Sequence, residues 1–367
     1  MISNFHSSLF TLTLILLISS CGNLRKQASD NAVAQQPVGP AFCADSAYLF
    51  CQQQCDFGPR TMNSQAHDAC GAWIVSKFRQ YGMEVVSQKA VLSGYDGTPL
   101  KSTNIIASYR PELPSRILLC AHWDSRPWAD NDPDEANWKK PVMAANDGAS
   151  GVGVMLEVAR LLHSLECRVD SVEFATAAES APDSSADGTA VANSKLYTLN
   201  STLGIDFICF DAEDYGFPEW ETTDDPGNTW ALGAQYWAEH PHKQGYTARF
   251  GILLDMVGGQ GATFSQEMMS KHYAGSIVDK VWRAASVVGY GSFFPMQEGG
   301  GVTDDHIPVN TVAKIPCIDI IPYYPACEAS SFGPTWHTVS DDMAHLDKST
   351  LQAVGQTIIQ VLFSEQD

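Results

Sequence analysis

The stretch Asn146-Asp147-Gly148-Ala149-Ser150-Gly151-Val152-Gly153-Val154-Met155-Leu156-Glu157-Val158-Ala159-Arg160-Leu161-Leu162 decides the fold. It opens on a polar, glycine-bearing turn and passes directly into a helical pattern over 148–164, where Val152, Met155, Ala159 and Leu162 recur at intervals of three and four on one face. On either side lie short runs rich in Val, Ile, Leu and Phe: 83–92, 103–109 and 116–121 before it, and 205–211, 250–256 and 315–321 after it. Each has the length and composition of a strand. Further helical patterns cover 64–81, about 230–239, 271–288 and 347–363. Strands alternating with helices predict an α/β fold, a single-domain mixed, mainly parallel central sheet with helices on both faces.

The 367 residues are 44% hydrophobic, enough for a substantial core. A formal charge of −20 would repel a phosphate backbone and an anionic membrane surface alike, which argues against nucleic-acid partners. At the N-terminus the uncharged run from Leu9 to Ile18 has the length of a signal-peptide core, too short to span a bilayer. It ends in Ile18-Ser19-Ser20-Cys21, which resembles a bacterial lipobox, although the segment before the run carries no Lys or Arg. The expected organisation is a signal peptide over 1–20, a polar tether over 21–40 lipid-anchored at Cys21, and a catalytic domain over 41–367 in the periplasm or elsewhere in the cell envelope. The nine remaining cysteines are an odd number. An exported chain permits bridges among Cys43, Cys51, Cys55 and Cys70, with plain packing the other reading, and Cys120 and Cys209 read as small buried hydrophobes. The polar stretches 180–194 and 215–229 read as inserted loops.

In a sheet covered on both faces, ligands collect beyond the carboxyl ends of the strands. His122 and Asp124 follow the run ILLC; Asp211, Glu213 and Asp214 follow DFICF; Asp255 ends FGILL; Asp147 leads into the 148–164 helix; and His337 follows the last strand. Singly, each has a plain reading. Asp147 could cap a helix, His122 could be a hydrogen-bonded core histidine, Asp211 a strand-end acceptor, and Glu213-Asp214 a solvated acidic pair. Five segments delivering imidazole or carboxylate to one edge instead point to a divalent metal of the zinc kind. Three protein ligands leave a coordination position for substrate, and the neighbouring free carboxylate is placed to move a proton.

The motifs AHWDSRPWAD, NDGASGVGVMLEVARLL, FDAEDYG, LLDMVG, TDDHIP and TWHT, spread over roughly residues 60–365, resemble the M28 zinc-hydrolase superfamily and within it the animal-type glutaminyl cyclases with their bacterial relatives. The resemblance implies zinc ligands at Asp147, Asp214 and His337 and a general acid/base at Glu213. It also implies acidic partners of that base at Asp255 and Asp304, and an aromatic pocket wall at Trp336. It implies one zinc per chain and peptide or protein substrates with an N-terminal Gln, cyclised to pyroglutamate with release of ammonia. The animal enzymes carry Glu where Asp214 stands, one methylene longer. Aminopeptidases of the superfamily hold a second zinc through residues matching His122 and Asp255, so a one- or two-metal aminopeptidase is the alternative reading. A catalytically dead zinc-hydrolase fold used as a surface-exposed binding protein is disfavoured, since every expected ligand type is present.

Other patterns are weaker. The glycine runs 256–261 and 298–302 lack a dinucleotide fingerprint and read as turns, and no G-x-S-x-G elbow is present. His240 and His242 read as an exposed loop, and Trp128 and Trp220 as pocket-mouth or packing residues.

Overall fold

The computed structural model describes residues 36–179, 199–222 and 228–365, with side chains described except at 168–179. Residues 36–367 form one unit. The signal peptide, Cys21, most of the tether, the whole of the first inserted loop (180–194) and residues 223–227 of the second therefore lie outside the described residues.

Six strands form one sheet: β1 (Glu84–Ser93), β2 (Pro99–Tyr109), β3 (Ser115–His122), β4 (Leu203–Phe210), β5 (Phe250–Leu254) and β6 (Cys317–Ile320), in spatial order β1-β2-β4-β3-β5-β6. The β1/β2 hairpin and the β2/β4 pair are antiparallel, whereas β4/β3, β3/β5 and β5/β6 are parallel. All six strand regions expected from the sequence are present. The helices are α1 (Ala44–Cys55), α2 (Gln65–Gln80), α3 (Ala149–Glu179), α4 (Leu232–Glu239), α5 (Met268–Val287), α6 (His306–Thr311) and α7 (Lys348–Ser364). The sequence reading lacked α1 and α6. Helix α1, ADSAYLFCQQQC, mixes glutamines with its apolar residues and buries Gln54 beside Phe50 and Cys51, which blurs the stripe.

Strand alternation sorts the core into two layers. Ile117, Leu119 and Ala121 of β3 join Ile205 and Phe207 of β4 and Ile252 and Leu254 of β5 in the larger cluster, with Phe50 of α1, Ile74 of α2, Met155 of α3, Val281 of α5 and Val354 of α7. Leu118 and Cys120 point the other way and join Ile208, Phe210 and Leu253 under Trp237 of α4 and Val309 of α6. Each fully buried aliphatic or aromatic side chain contributes about 1.5–3 kcal/mol. A sheet apolar on both faces must be covered on both, and these helices cover it.

Two polar devices supplement the apolar core. Arg116 of β3 pairs with Asp206 of β4, both buried, and Asp206 also accepts from Ser108 Oγ at 2.6 Å and Tyr246 Oη at 2.7 Å. Residues 38–44 lie along α7, where Gln360, Gln356 and Gln352 side chains accept from the backbone N–H groups of Val38, Phe42 and Ala44. All nine described cysteines are free thiols, so the bridges entertained for Cys43–Cys70 are absent; Cys51, Cys55 and Cys70 are buried. Burial pushes the Cys55 thiol up to about 11 and the Cys70 thiol up to about 12, keeping both protonated and unreactive. His242 is not loose on the surface: Trp237 Nε1 donates to its Nδ1 at 3.2 Å. Among the described residues, no helix is long and apolar enough to cross a membrane.

Candidate metal centre and active site

The carboxyl ends of the parallel strands deliver the site. His122 is the last residue of β3, Glu213 and Asp214 lie three and four residues beyond the end of β4 (Phe210), and Asp255 follows β5 directly. Asp147 precedes α3, and its loop enters the helix through Gly148, whose φ of +96° is costly for a residue with a side chain. A Cβ there would stand 2.8 Å from the Asp124 carbonyl and 2.9 Å from His122 Cε1. At Gly151 a Cβ would fall 2.1 Å from the Leu254 carbonyl, so the first turn of α3 rests directly on the end of β5. Asp341 fixes the loop from the other side, accepting from the backbone N–H groups of Asn146 and Asp147 at 2.8 and 2.9 Å. Asp124 does the same for the next segment, accepting from the N–H groups of Glu213 and Asp214, each at 3.1 Å.

Ligand atoms of Asp147, Asp214 and His337 lie within 4.8 Å of one another, and those of His122, Asp147 and Asp255 form a second such group. Asp147 belongs to both. His337 Nε2 is 3.2 Å from Asp214 Oδ1 and 3.6 Å from Asp147 Oδ2. His122 Nε2 is 2.9 Å from Asp147 Oδ1 and 3.2 Å from Asp255 Oδ1. Both oxygens of Asp214 are buried without a well-formed hydrogen bond. Leaving a buried carboxylate in that state costs several kcal/mol. A divalent cation on the first group removes that cost, and one imidazole with two carboxylates suits a borderline ion. The residues present therefore fit a metal.

Behind the first group, His337 Nδ1 faces Asp130 Oδ1 at 3.5 Å, and Arg126 holds Asp130 through a buried pair that keeps its carboxyl well below the usual range despite burial. An imidazole backed by a carboxylate on its other nitrogen is the arrangement that orients a metal-binding histidine. His337 itself sits at φ +53°, against the Trp336 ring at 3.8 Å and parallel to Trp230 at 5.9 Å. Ala212 and Met256, each beside a site carboxylate, also adopt positive φ, at +55° and +49°. Left-handed non-glycine residues gathered at one edge mark a backbone bent to aim side chains.

A cavity of about 270 Å³ opens over this edge. Asp147, His337, Glu213, Asp255 and Asp304 give it a polar floor, and Trp230, Trp336, Phe332, Ile321 and Val302 give it apolar walls. Its charges are crowded. Burial pushes the Glu213 carboxyl well above the ordinary glutamate value, the Asp304 charge adds to this, and His122 opposes it. Asp255 rises to about 7 for the same reason, with Asp147 and Asp304 contributing. Asp147 goes the other way: burial would raise it, but the hydrogen bond and charge of His122 and the charge of His337 hold it low.

All eight sequence-derived candidates, Asp147, Asp214, His337, Glu213, Asp255, Asp304, Trp336 and His122, are thus brought to one edge of the sheet. Asp211 is not in the cavity. It is a structural acceptor, taking hydrogen bonds from His67 Nε2 at 2.8 Å and the Ala212 N–H at 2.9 Å. Glu213 and Asp214 are buried rather than solvated. Trp128 and Trp220 meet edge to face, ring centroids 5.6 Å apart, and do not line the cavity. Trp230, Phe332, Asp130 and Asp341 escaped the sequence reading. Trp230 stands just after the loop 215–229, and only its position two residues before α4 could have tied it to the strand-end edge.

This edge, with its shared carboxylate and strand-end ligands, is that of an α/β enzyme with a candidate metal site. Residues 104–362 match Peptidase family M28, and the chain belongs to that family. It is similar to the crystal structure of Bacteroides thetaiotaomicron glutaminyl cyclase bound to N-acetylhistamine, with 47% identity, 89% of this chain and 100% of that chain covered, and a TM-score of 0.77. A leucine aminopeptidase precursor from the same organism is also 47% identical, over 89% of this chain and 99% of that one, with a TM-score of 0.76. Among curated relatives, aminopeptidase YwaD of Bacillus subtilis is 26% identical over 83% of this chain, and the glutaminyl-peptide cyclotransferase of Bothrops jararaca is 26% identical over 72%. The matches span 54% and 65% of those two proteins.

Proposed function

We propose that this chain is a glutaminyl cyclase that converts the N-terminal Gln of peptides and proteins to pyroglutamate with release of ammonia. The observation that carries this reading is a buried carboxylate pair of distinct roles: Asp214 aimed at His337 and Asp147, and Glu213 beside it, lining the cavity with a raised proton affinity. The 47% identity to a bacterial glutaminyl cyclase over its whole length supports it.

Asp147, Asp214 and His337 would hold one zinc ion, which when bound polarises the carbonyl that is attacked. The aromatic walls from Trp230 and Trp336 exclude water and bind the methylenes of the Gln side chain, which enters first. Glu213 takes a proton from the α-amine as that nitrogen bonds to the side-chain carbonyl carbon. The same proton then goes from Glu213 to the departing nitrogen as the carbon–nitrogen bond of the carboxamide breaks, and ammonia leaves. A base with raised proton affinity is suited to both halves of this exchange. Asp304, which lines the same cavity, and the adjacent Asp214 add by their charge to the burial that keeps the proton affinity of Glu213 high, and Asp255 lines the cavity with Asp304.

The second reading is an aminopeptidase, in which water attacks the peptide bond. The second group, His122, Asp147 and Asp255, favours it by offering room for another ion. Incubation with a Gln-initiated peptide separates the two: release of ammonia with the peptide otherwise intact supports the cyclase, and free Gln refutes it. We further propose that the chain acts in the cell envelope, anchored through Cys21. Both proposals on location rest on the sequence of residues 9–21.

A further inference from the structure

A second, smaller cavity of about 40 Å³ adjoins the first and shares Gly301, Val302, Ile321 and Phe332 with it. Three segments run from one to the other. Going back from Asp304, the chain passes through the shared Gly301 and Val302 to Gly299 and Gly300; going on from Ile321 it reaches Tyr323; and going back from His337 and Trp336 it passes Phe332 to Ser331. In the first and third segments Asp304 and His337 stand at the main cavity, and in all three the smaller cavity lies further along the chain from it. None of Asp147, Glu213, Asp255 or His337 lines the smaller space. Whatever fills it is therefore not the reacting carboxamide but a neighbouring part of the same substrate.

The geometry points to this side cavity as the subsite for the side chain of the residue that follows the N-terminal Gln, with a preference for small, uncharged side chains. The assignment rests on the cyclase reading above. A space of this volume holds about three water-sized groups, which is the size of an Ala, Ser or Val side chain. Tyr323 and Phe332 wall it, and Glu267 lines it, its carboxylate accepting from the N–H groups of Met269 at 2.7 Å, Val302 at 2.9 Å and Ser270 at 2.5 Å, with His306 Nε2 at 3.4 Å. That fixed negative charge disfavours an acidic side chain. The glycine run 298–302, a turn by its sequence, gains a role here. A Cβ on Gly300 would meet only Tyr323 Cε2, at 3.9 Å, so a side chain at this position projects into the space without displacing backbone.

The test measures kcat/KM for glutaminamide, Gln-Ala-amide, Gln-Glu-amide and Gln-Trp-amide on the full zinc-loaded chain, each dipeptide expressed as a ratio to glutaminamide, which has no second residue. The wild type is expected to favour Gln-Ala over Gln-Trp and Gln-Glu by about tenfold, the scale on which a shaped apolar pocket discriminates. Tyr323→Ala enlarges the space and should bring the Gln-Trp ratio to within about twofold of Gln-Ala; Gly300→Val fills it and should lower the Gln-Ala ratio to the Gln-Trp level. Opposite shifts from two folded variants are not produced by general loss of structure. Equal ratios across the wild-type series, or variants that lower every substrate including glutaminamide in proportion, overturn the subsite. A wild type that releases ammonia from none of the four substrates overturns the cyclase reading instead, and the subsite with it.

Discussion

Gly148→Ala tests how the shared ligand is placed. The substitution puts a methyl group on a residue at φ +96°, which costs about 1–2 kcal/mol in left-handed backbone alone. It also drives that methyl to 2.8 Å from the Asp124 carbonyl and 2.9 Å from the His122 ring, both buried and held by other bonds, for about 1–3 kcal/mol more. The sum, about 2–5 kcal/mol, corresponds to a Tm fall on the order of 5–10 °C. Gly97→Ala is the reference. Gly97 also has positive φ, +79°, but nothing lies within 4 Å of its added methyl, so only the backbone cost applies. Relief of the Gly148 overlap moves Asp147 or His122, and zinc affinity should fall about 10–100-fold, the usual cost of disturbing a ligand's supports. Calorimetry and titration with a zinc-competing chelator measure both quantities. A Gly148→Ala protein as stable as Gly97→Ala, with wild-type zinc affinity, would refute the claim that contact between α3's entry and the β3 end sets the site.

Three further outcomes follow from the same geometry. Glu213→Gln should lower kcat by about 10²–10⁴-fold, the range for loss of a general acid/base, while zinc content by atomic absorption stays at the wild-type level. Asp206→Asn breaks the buried pair with Arg116 and should cost about 3–5 kcal/mol by urea denaturation. The Arg116 hydrogen bonds and charge overcome burial to hold the Asp206 carboxyl below its ordinary value, so its stabilisation is complete above the unfolded-state pKa and is lost as pH falls through the folded one. Acid titration should therefore show a wild-type stability loss in that window that Asp206→Asn lacks. Asp341→Ala releases the N–H groups of Asn146 and Asp147 and should weaken zinc binding by a larger factor than it raises KM for a Gln peptide, the latter measured on zinc-saturated protein.

Much of this site was legible because its chemistry is unusual for strand ends. Imidazoles and carboxylates directly after apolar runs, as at His122, Asp255 and Glu213-Asp214, stand out against the solvated polar residues that normally end a strand, and the doubly covered sheet brings those ends together. What was not legible depends on contacts distant in the chain. Asp341 is an ordinary acidic residue until its position under the 146–147 turn is seen, and Trp230 becomes a cavity wall only by stacking against His337 more than 100 residues away. Asp211 is the strand-end acceptor of its plain reading: it sits in the same motif as Glu213, yet it faces His67 and the Thr103 N–H and not the cavity. Helix α1 was hidden for a different reason, since its buried Gln54 bonds to the carbonyls of Phe50 and Ala149 and so replaces an apolar residue on the inner face.

The central claim is that the substrate's own amine, and not water, is the nucleophile served by Glu213. Running the reaction on a Gln-initiated peptide in heavy-oxygen water and reading the products by mass spectrometry tests it directly. The account predicts a peptide short by one ammonia and carrying no heavy oxygen. Free glutamine with heavy oxygen in its new carboxyl group would contradict it.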